Sequence, residues 1–226
     1  MINRRNALIT FGFAALGGAI SLTRTGSSDV TDFLITPANA QDAPAVDTDM
    51  VPDMVQGNMD AAVEVIEYAS FTCPHCAAFN TTVYRQLKEN YIDTGKIKFV
   101  YREIFFDKFG LWAAMIARCG GEMRYFGIAD MLYEEQASWI GGGKDPMEIV
   151  SNLRTIGKKA GLSDAQLDTC MNDGEMAQAM VANFEKNATA DDINATPSFV
   201  INGEKYSNMT YEDFAAILDE KLADAG

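Results

Sequence analysis

Residues 67–76 of the chain are EYASFTCPHC, in which a proline and a histidine separate two cysteines, Cys73 and Cys76. The preceding run, residues 62–69, is rich in β-branched and aromatic residues and predicts a buried strand. From Cys73 to Tyr91 the apolar residues recur at helical spacing. The sequence therefore places the two cysteines at a turn between a strand and a helix.

This position favours a reactive thiolate at Cys73. The first N–H groups of a helix have no partner within the helix, and together with the helix dipole they stabilise negative charge. Thiols at such sites have pKa values of about 3.5–7.5. Pro74 has no N–H to lose in the first turn, and His75, when protonated, adds positive charge beside the thiolate. Because a stabilised thiolate stabilises the reduced form, we expect the Cys73–Cys76 disulfide to be oxidising.

Two other interpretations of the cysteine pair are a passive four-residue disulfide and half of a zinc site. A zinc site of four thiolates would need Cys119 and Cys170, which do not form a second C-x-x-C pair. The chain has one histidine, which excludes a centre built from two or three imidazoles. We therefore expect no metal, and no cofactor besides the redox-active disulfide itself.

Length and composition limit the classes of protein to consider. The 226 residues are 48% hydrophobic and 10% aromatic, which fits one globular domain or one domain with a large insertion. The 18 basic and 32 acidic residues give a net charge of −14. Nucleic acids and anionic membranes both require basic surface, so we expect neither as a partner.

Residues 1–40 have the features of an export signal. Arg4 and Arg5 precede an uncharged apolar run at residues 7–22, and Ala38-Asn39-Ala40 is a cleavage site of the A-x-A type. The run is short for a permanent membrane span, although an uncleaved anchor is the alternative. Export places the four cysteines in an oxidising compartment, where they indicate disulfides rather than metal ligands.

The remaining chain is predicted to have an α/β fold split by a helical insertion. Residues 41–60 form a flexible leader with one short edge strand. Residues 61–106 then give strand, helix and strand, which favours a parallel βαβ unit with a right-handed crossover. Residues 107–190 have no strand pattern and are predicted to form helices at residues 111–119, 125–138, 146–160, 163–170 and 176–190. Ser163 and Gln166 match a capping box at the start of the fourth of these helices. Residues 191–226 end the chain with a β-hairpin at an Asn-Gly turn and an amphipathic helix.

A second motif, Thr196-Pro197-Ser198-Phe199, stands directly before the predicted hairpin. Together with residues 67–76 and the helical block between them, it makes residues 61–223 resemble the thioredoxin superfamily. Within that superfamily the chain resembles the DsbA-like exported thiol oxidases. The Pro-His dipeptide between the cysteines is the specific feature, since thioredoxins usually have Gly-Pro there. Thr196 is a departure, because the best-known enterobacterial members have valine before this proline.

The resemblance implies a thioredoxin-like fold, a central mixed sheet flanked by helices, with an inserted all-helical subdomain. It also implies a monomeric, periplasmic dithiol oxidase that donates the Cys73–Cys76 disulfide to reduced or unfolded client proteins. A DsbB-like, quinone-linked membrane oxidase would reoxidise the pair. Pro197 would be cis and, with Thr196, would hold the client chain. A disulfide isomerase or reductase of the same fold, and a non-catalytic chaperone-like module, are the alternative functions.

Glu67 stands out because it lies in an otherwise apolar strand, where an unpaired buried carboxylate is costly. The resemblance implies a buried acid that transfers a proton to or from Cys76. It also implies a basic partner on the next strand, for which we predict Lys98 first and Arg102 second. A solvated glutamate at a sheet edge is the alternative.

Cys119 and Cys170 both fall in predicted helices of the insertion. We predict a structural disulfide that joins the two helices and closes a loop of about fifty residues. Two buried free thiols and a second redox site are the alternatives.

Overall fold

The structure, a computed structural model, describes residues 46–141 and 145–226. The predicted export signal, residues 1–40, and the first residues of the predicted leader lie outside this part of the chain. The described residues form a mixed five-stranded sheet flanked by helices, with strand order β1-β3-β2-β4-β5. The strands are β1 Met54–Gly57, β2 Glu64–Ala69, β3 Lys98–Glu103, β4 Ser198–Ile201 and β5 Glu204–Ser207.

Strand β2 lies in the centre of the sheet, parallel to β3 and antiparallel to β4. The predicted βαβ unit is therefore present, and β1 is the short edge strand expected in the leader, antiparallel to β3. Asn202 and Gly203 make the turn between β4 and β5, with φ values of +47° and +84°. Asparagine and glycine both tolerate this left-handed region of φ, so this dipeptide can form the tight turn of the hairpin.

A long helical segment follows the cysteine turn and is not a regular α-helix throughout. It begins as α1, Pro74–Phe79, and contains two π-helical stretches, Asn80–Tyr84 and Lys88–Ile92, on either side of the short helix α2, Arg85–Leu87. Such π-helical turns widen a helix locally and are frequent near functional sites. Buried side chains of this segment, Phe79 and Leu87 among them, face the sheet.

The helical insertion lies between β3 and β4 in the chain. Its helices are α3 Lys108–Cys119, α4 Glu122–Glu134, α5 Gln136–Ile140, α6 Pro146–Lys159, α7 Asp164–Met171 and α8 Gly174–Ala190, and α9 Tyr211–Ala225 follows the hairpin. The capping box predicted at Ser163 and Gln166 is present at the start of α7. One predicted helix, residues 125–138, was wrong, because the chain leaves helical geometry at Glu135 and divides it into α4 and α5.

The insertion and the sheet share a hydrophobic core. Phe99 and Phe199 of the sheet belong to the same buried cluster as Tyr125, Leu132 and Trp139 of the insertion. The opposite face of the sheet carries a smaller buried cluster, against which α8 packs; it includes Ile66, Tyr68, Val100, Val200 and Ala188. Within the described ranges, no helix has both the length and the apolar character that a membrane crossing requires.

Candidate active site

The two cysteines lie at the beginning of α1. Cys73 is the N-cap residue and Pro74 occupies the first helical position. The Cys73 N–H donates to the Ser70 carbonyl at 3.1 Å, which closes the turn after β2. Both cysteines are free thiols and both are buried: 9% of the Cys73 surface is exposed and none of the Cys76 surface, whereas His75 between them is exposed.

The environment of Cys73 stabilises its thiolate. Its pKa is lowered to about 5, chiefly by a hydrogen bond from the Cys76 thiol, although partial burial acts in the opposite direction. Backbone N–H groups of Cys76 and His75 also lower this pKa. These are the unpaired N–H groups of the helix start, so the structure supports the electrostatic argument made from the sequence.

Cys76 has the opposite character. Burial raises the pKa of its thiol well above the usual range, and the hydrogen bond to Cys73 and the nearby Glu67 act in the same direction. When the disulfide opens, Cys73 can therefore remain as a thiolate while Cys76 requires a proton. The two sulfurs are thus chemically unequal although they lie one helical turn apart.

The second motif of the sequence meets the cysteines in space. The Thr196–Pro197 peptide bond is cis, and the Cys73 Sγ lies 3.5 Å from the Thr196 carbonyl oxygen. Strand β4 begins one residue after Pro197 and pairs with β2, with Ser198 opposite Tyr68. The sheet therefore brings together two segments that are more than a hundred residues apart in the chain.

Glu67 is buried close enough to Cys76 for its charge to raise the pKa of that thiol. Only 3% of its surface is exposed, and among the described residues its Oε1 has no hydrogen-bond partner. Burial, followed by the charge of Asp130, raises the pKa of Glu67 to about 8. A neutral carboxylic acid, rather than a carboxylate, therefore occupies this position at neutral pH, beside a buried thiol that needs a proton.

The predicted pairing of Glu67 with Lys98 was wrong. In the parallel register of β2 and β3, Glu67 lies opposite Tyr101, and Lys98 lies opposite Glu64. The Lys98 Nζ is 2.6 Å from the Glu64 Oε2 in a partly exposed ion pair. Counting residues along each strand does not determine how two parallel strands are offset, and here the offset places the lysine three residues before the position that would face Glu67.

Arg102, the second predicted partner, is also bound elsewhere. It lies opposite Tyr68, and side chains alternate between the faces of a strand, so both point away from Glu67. Its guanidinium contacts Asp53 through two hydrogen bonds and also contacts Asp191. Neither basic residue predicted for Glu67 therefore neutralises it.

Phenols and a second carboxyl group surround Glu67 instead. Tyr101 is hydrogen-bonded to Tyr133 of α4, and Asn80 donates to Asp130 of the same helix at 3.1 Å. Asn80 lies four residues after Cys76 in the helical segment that begins as α1, and Asp130 lies three residues before Tyr133 in α4, so the members of each pair share one face of their segment. This cluster was not predicted from the sequence, because helical spacing is its only signal there and spacing alone does not identify the partners.

Cys119 of α3 and Cys170 of α7 are joined by a disulfide, with a Cα–Cα distance of 5.8 Å and a sequence separation of 51 residues. The bond ties two helices of the insertion together and lies apart from the Cys73–Cys76 pair. Across residues 46–141 and 145–226, no three His, Cys, Asp or Glu side chains are grouped in a way that could hold a metal ion.

Comparisons with known proteins agree with this geometry. Residues 49–220 match a family model described as “Thioredoxin”. A Rickettsia conorii protein named “Putative protein-disulfide oxidoreductase RC0029” is 33% identical over 210 residues, which are 89% of this chain and 74% of that protein. A Rickettsia bellii protein named “Putative protein-disulfide oxidoreductase” is 33% identical over 174 residues, and the match spans 66% of its length.

Among solved structures, the chain is similar to Wolbachia pipientis alpha-DsbA1. The TM-score is 0.70 at 27% sequence identity, and the superposition covers 79% of this chain and 96% of that one. Nearly the whole of that fold, including its helices, therefore has a counterpart here.

Proposed function

This chain belongs to the thioredoxin family as a DsbA-like member, and from that premise we propose that it is a protein-disulfide oxidoreductase, specifically a dithiol oxidase. The observation that carries the proposal is the asymmetry of the cysteine pair. Cys73 has a pKa of about 5, and Cys76 is buried with a pKa raised far above the ordinary value. A stable Cys73 thiolate favours the reduced protein, which makes the oxidised protein a donor of its disulfide.

The proposed reaction begins with the oxidised pair and a client dithiol. A client thiolate attacks the Cys73 sulfur, the bond between Cys73 and Cys76 breaks, and Cys76 leaves with the electron pair. A second client thiolate then attacks the client sulfur of the mixed disulfide, and Cys73 leaves as a thiolate. The client is oxidised by two electrons and this protein is reduced by two.

Glu67 supplies the proton that the first step requires. A buried Cys76 thiolate would be costly, and the neutral Glu67 carboxylic acid beside it can protonate the sulfur as it leaves. The return of the proton to Glu67 resets the site. Lys98 has no part in this transfer, because it is paired with Glu64.

Client chains would bind along the exposed segment before the cis proline. The backbone of the half-buried Thr196, next to Pro197, would pair with an extended client segment as an added strand. The proposal includes export to the periplasm by a cleavable signal at residues 1–40 and reoxidation by a quinone-linked membrane partner similar to DsbB.

The test is to follow refolding of a reduced client and of a scrambled client with the oxidised protein and with its Cys73→Ser variant. The proposal predicts rapid oxidation of the reduced client, little rescue of the scrambled one, and no activity in the variant. Preferential rescue of the scrambled client would instead favour an isomerase. Equal activity of the variant would indicate a binding module without redox chemistry.

A further inference from the structure

Gln136 is a buried polar residue at the start of α5, in the helical insertion, and the reaction outlined above does not use it. Its Nε2 donates to the Phe71 carbonyl at 2.9 Å and to the Cys73 carbonyl at 3.0 Å. Gln136 is 8% exposed, so both bonds are shielded from water. One side chain of the insertion thus holds the backbone on both sides of Thr72, immediately before the reactive helix.

A second contact from the insertion fixes the same turn. The Thr72 hydroxyl donates to Asp107 at 2.9 Å, and Asp107 is the N-cap of α3, where it accepts from the Phe109 and Gly110 N–H groups. A Cβ at Gly110 would lie 3.3 Å from the Ser70 hydroxyl oxygen, so α3 approaches the turn closely. The beginnings of two insertion helices therefore enclose residues 70–73.

The bond to the Cys73 carbonyl bears directly on the chemistry. That carbonyl also accepts the first hydrogen bond of α1, from the Ala77 N–H at 3.2 Å. Its orientation therefore sets how α1 starts and where the free N–H groups of His75 and Cys76 point. Those N–H groups contact the Cys73 sulfur, so a shift of this peptide would change how well the thiolate is stabilised.

We propose that Gln136 is a positioning residue through which the helical insertion holds the Cys73 turn in its reactive geometry. The insertion is then part of the redox centre, because it supplies hydrogen bonds to the turn that carries Cys73. The inference rests on the proposed redox role of Cys73 and Cys76, but not on the direction in which electrons flow.

The test compares Gln136→Met with Trp139→Phe. Methionine has a similar length but no donor, so both carbonyl bonds are lost. Trp139→Phe removes another buried bond of the same helix, which runs from the Trp139 Nε1 to the Leu132 carbonyl at 2.7 Å and not to the cysteine turn. Three properties are measured for each protein: thermal unfolding, titration of the Cys73 thiolate by its ultraviolet absorbance, and the equilibrium of the pair with glutathione.

Both variants should lose stability, but only Gln136→Met should raise the pKa of Cys73 and make the disulfide less oxidising. The expected change in the glutathione equilibrium is about three- to tenfold, as for the loss of one or two hydrogen bonds. An unchanged equilibrium in Gln136→Met, or an equal change in Trp139→Phe, would overturn the inference.

If Gln136→Met does not fold, Gln136→Asn tests the same bonds. The shorter amide keeps the polarity but cannot reach both carbonyls, and a shift in the same direction is expected. These measurements use the protein and glutathione alone. If the wild-type protein failed to oxidise clients, the proposed oxidase function would be overturned, but the effect of Gln136 on the glutathione equilibrium could still be interpreted.

Discussion

Glu67→Gln is the substitution whose effect on stability can be worked out most fully. The pKa of Glu67 rises from 4.5 to about 8 on folding, first through burial and then through the charge of Asp130. Above pH 4.5 the unfolded chain releases this proton while the folded chain keeps it. Wild-type stability is therefore unaffected by Glu67 at low pH and falls as the pH rises toward the folded pKa.

The size of the effect follows from the pKa difference. Between the unfolded and the folded pKa of Glu67, each pH unit lowers the free energy of unfolding by about 1.4 kcal/mol. The window spans 8 − 4.5 = 3.5 pH units, which gives about 5 kcal/mol in total. Glutamine is nearly isosteric and does not titrate. From pH 5 to pH 7 the free energy of unfolding of the Glu67→Gln variant should therefore rise by about 3 kcal/mol relative to that of the wild type.

The assay is urea unfolding of both proteins at a series of pH values, with the cysteine pair kept reduced. Glu64→Gln is the matched control: it lies three residues earlier on the same strand, in a partly exposed ion pair with Lys98. Such pairs contribute about 1 kcal/mol or less, so the control should follow the wild-type pH dependence closely. If the free energies of unfolding of the wild type and of Glu67→Gln changed with pH in the same way, the raised pKa of Glu67 would be refuted, and with it the proton-donor role.

Three further predictions concern Asp130, the second disulfide and a buried ion pair. Asp130→Asn should lower the pKa of the buried glutamate, seen as a shift of the same stability profile to lower pH. Replacing Cys119 and Cys170 together with alanine should cost about 2–5 kcal/mol in urea unfolding and leave the glutathione equilibrium of the other pair within about twofold. The buried Glu103 accepts two hydrogen bonds from the Arg118 guanidinium, so Arg118→Met leaves a buried charge without its partner and should cost about 3–5 kcal/mol in urea unfolding; a loss below about 1 kcal/mol would contradict this.

Local sequence signals predicted much of the fold. The cysteine turn, the capping box at Ser163 and the Asn202–Gly203 hairpin all lie where the residues placed them, because each depends on hydrogen bonds or backbone angles within a few residues. The Thr196–Pro197 motif was identified through resemblance, and the structure brings it to Cys73.

Features that depend on distant contacts could not be predicted in this way. The offset between β2 and β3 places Tyr101, and not Lys98, opposite Glu67. No pattern within either strand specifies that offset. Gln136 was overlooked because residues 125–138 have one helical pattern, whereas the break at Glu135 begins a new helix that turns Gln136 toward the Cys73 carbonyl.

The proposed oxidase chemistry is tested most directly by the equilibrium between the Cys73–Cys76 pair and glutathione, measured alongside titration of the Cys73 thiolate. We expect a thiolate that titrates at about pH 5 and a pair that is reduced by glutathione even when the buffer is largely oxidised. A thiol that titrates near its ordinary pKa, in a pair that stays oxidised in reducing glutathione, would contradict it.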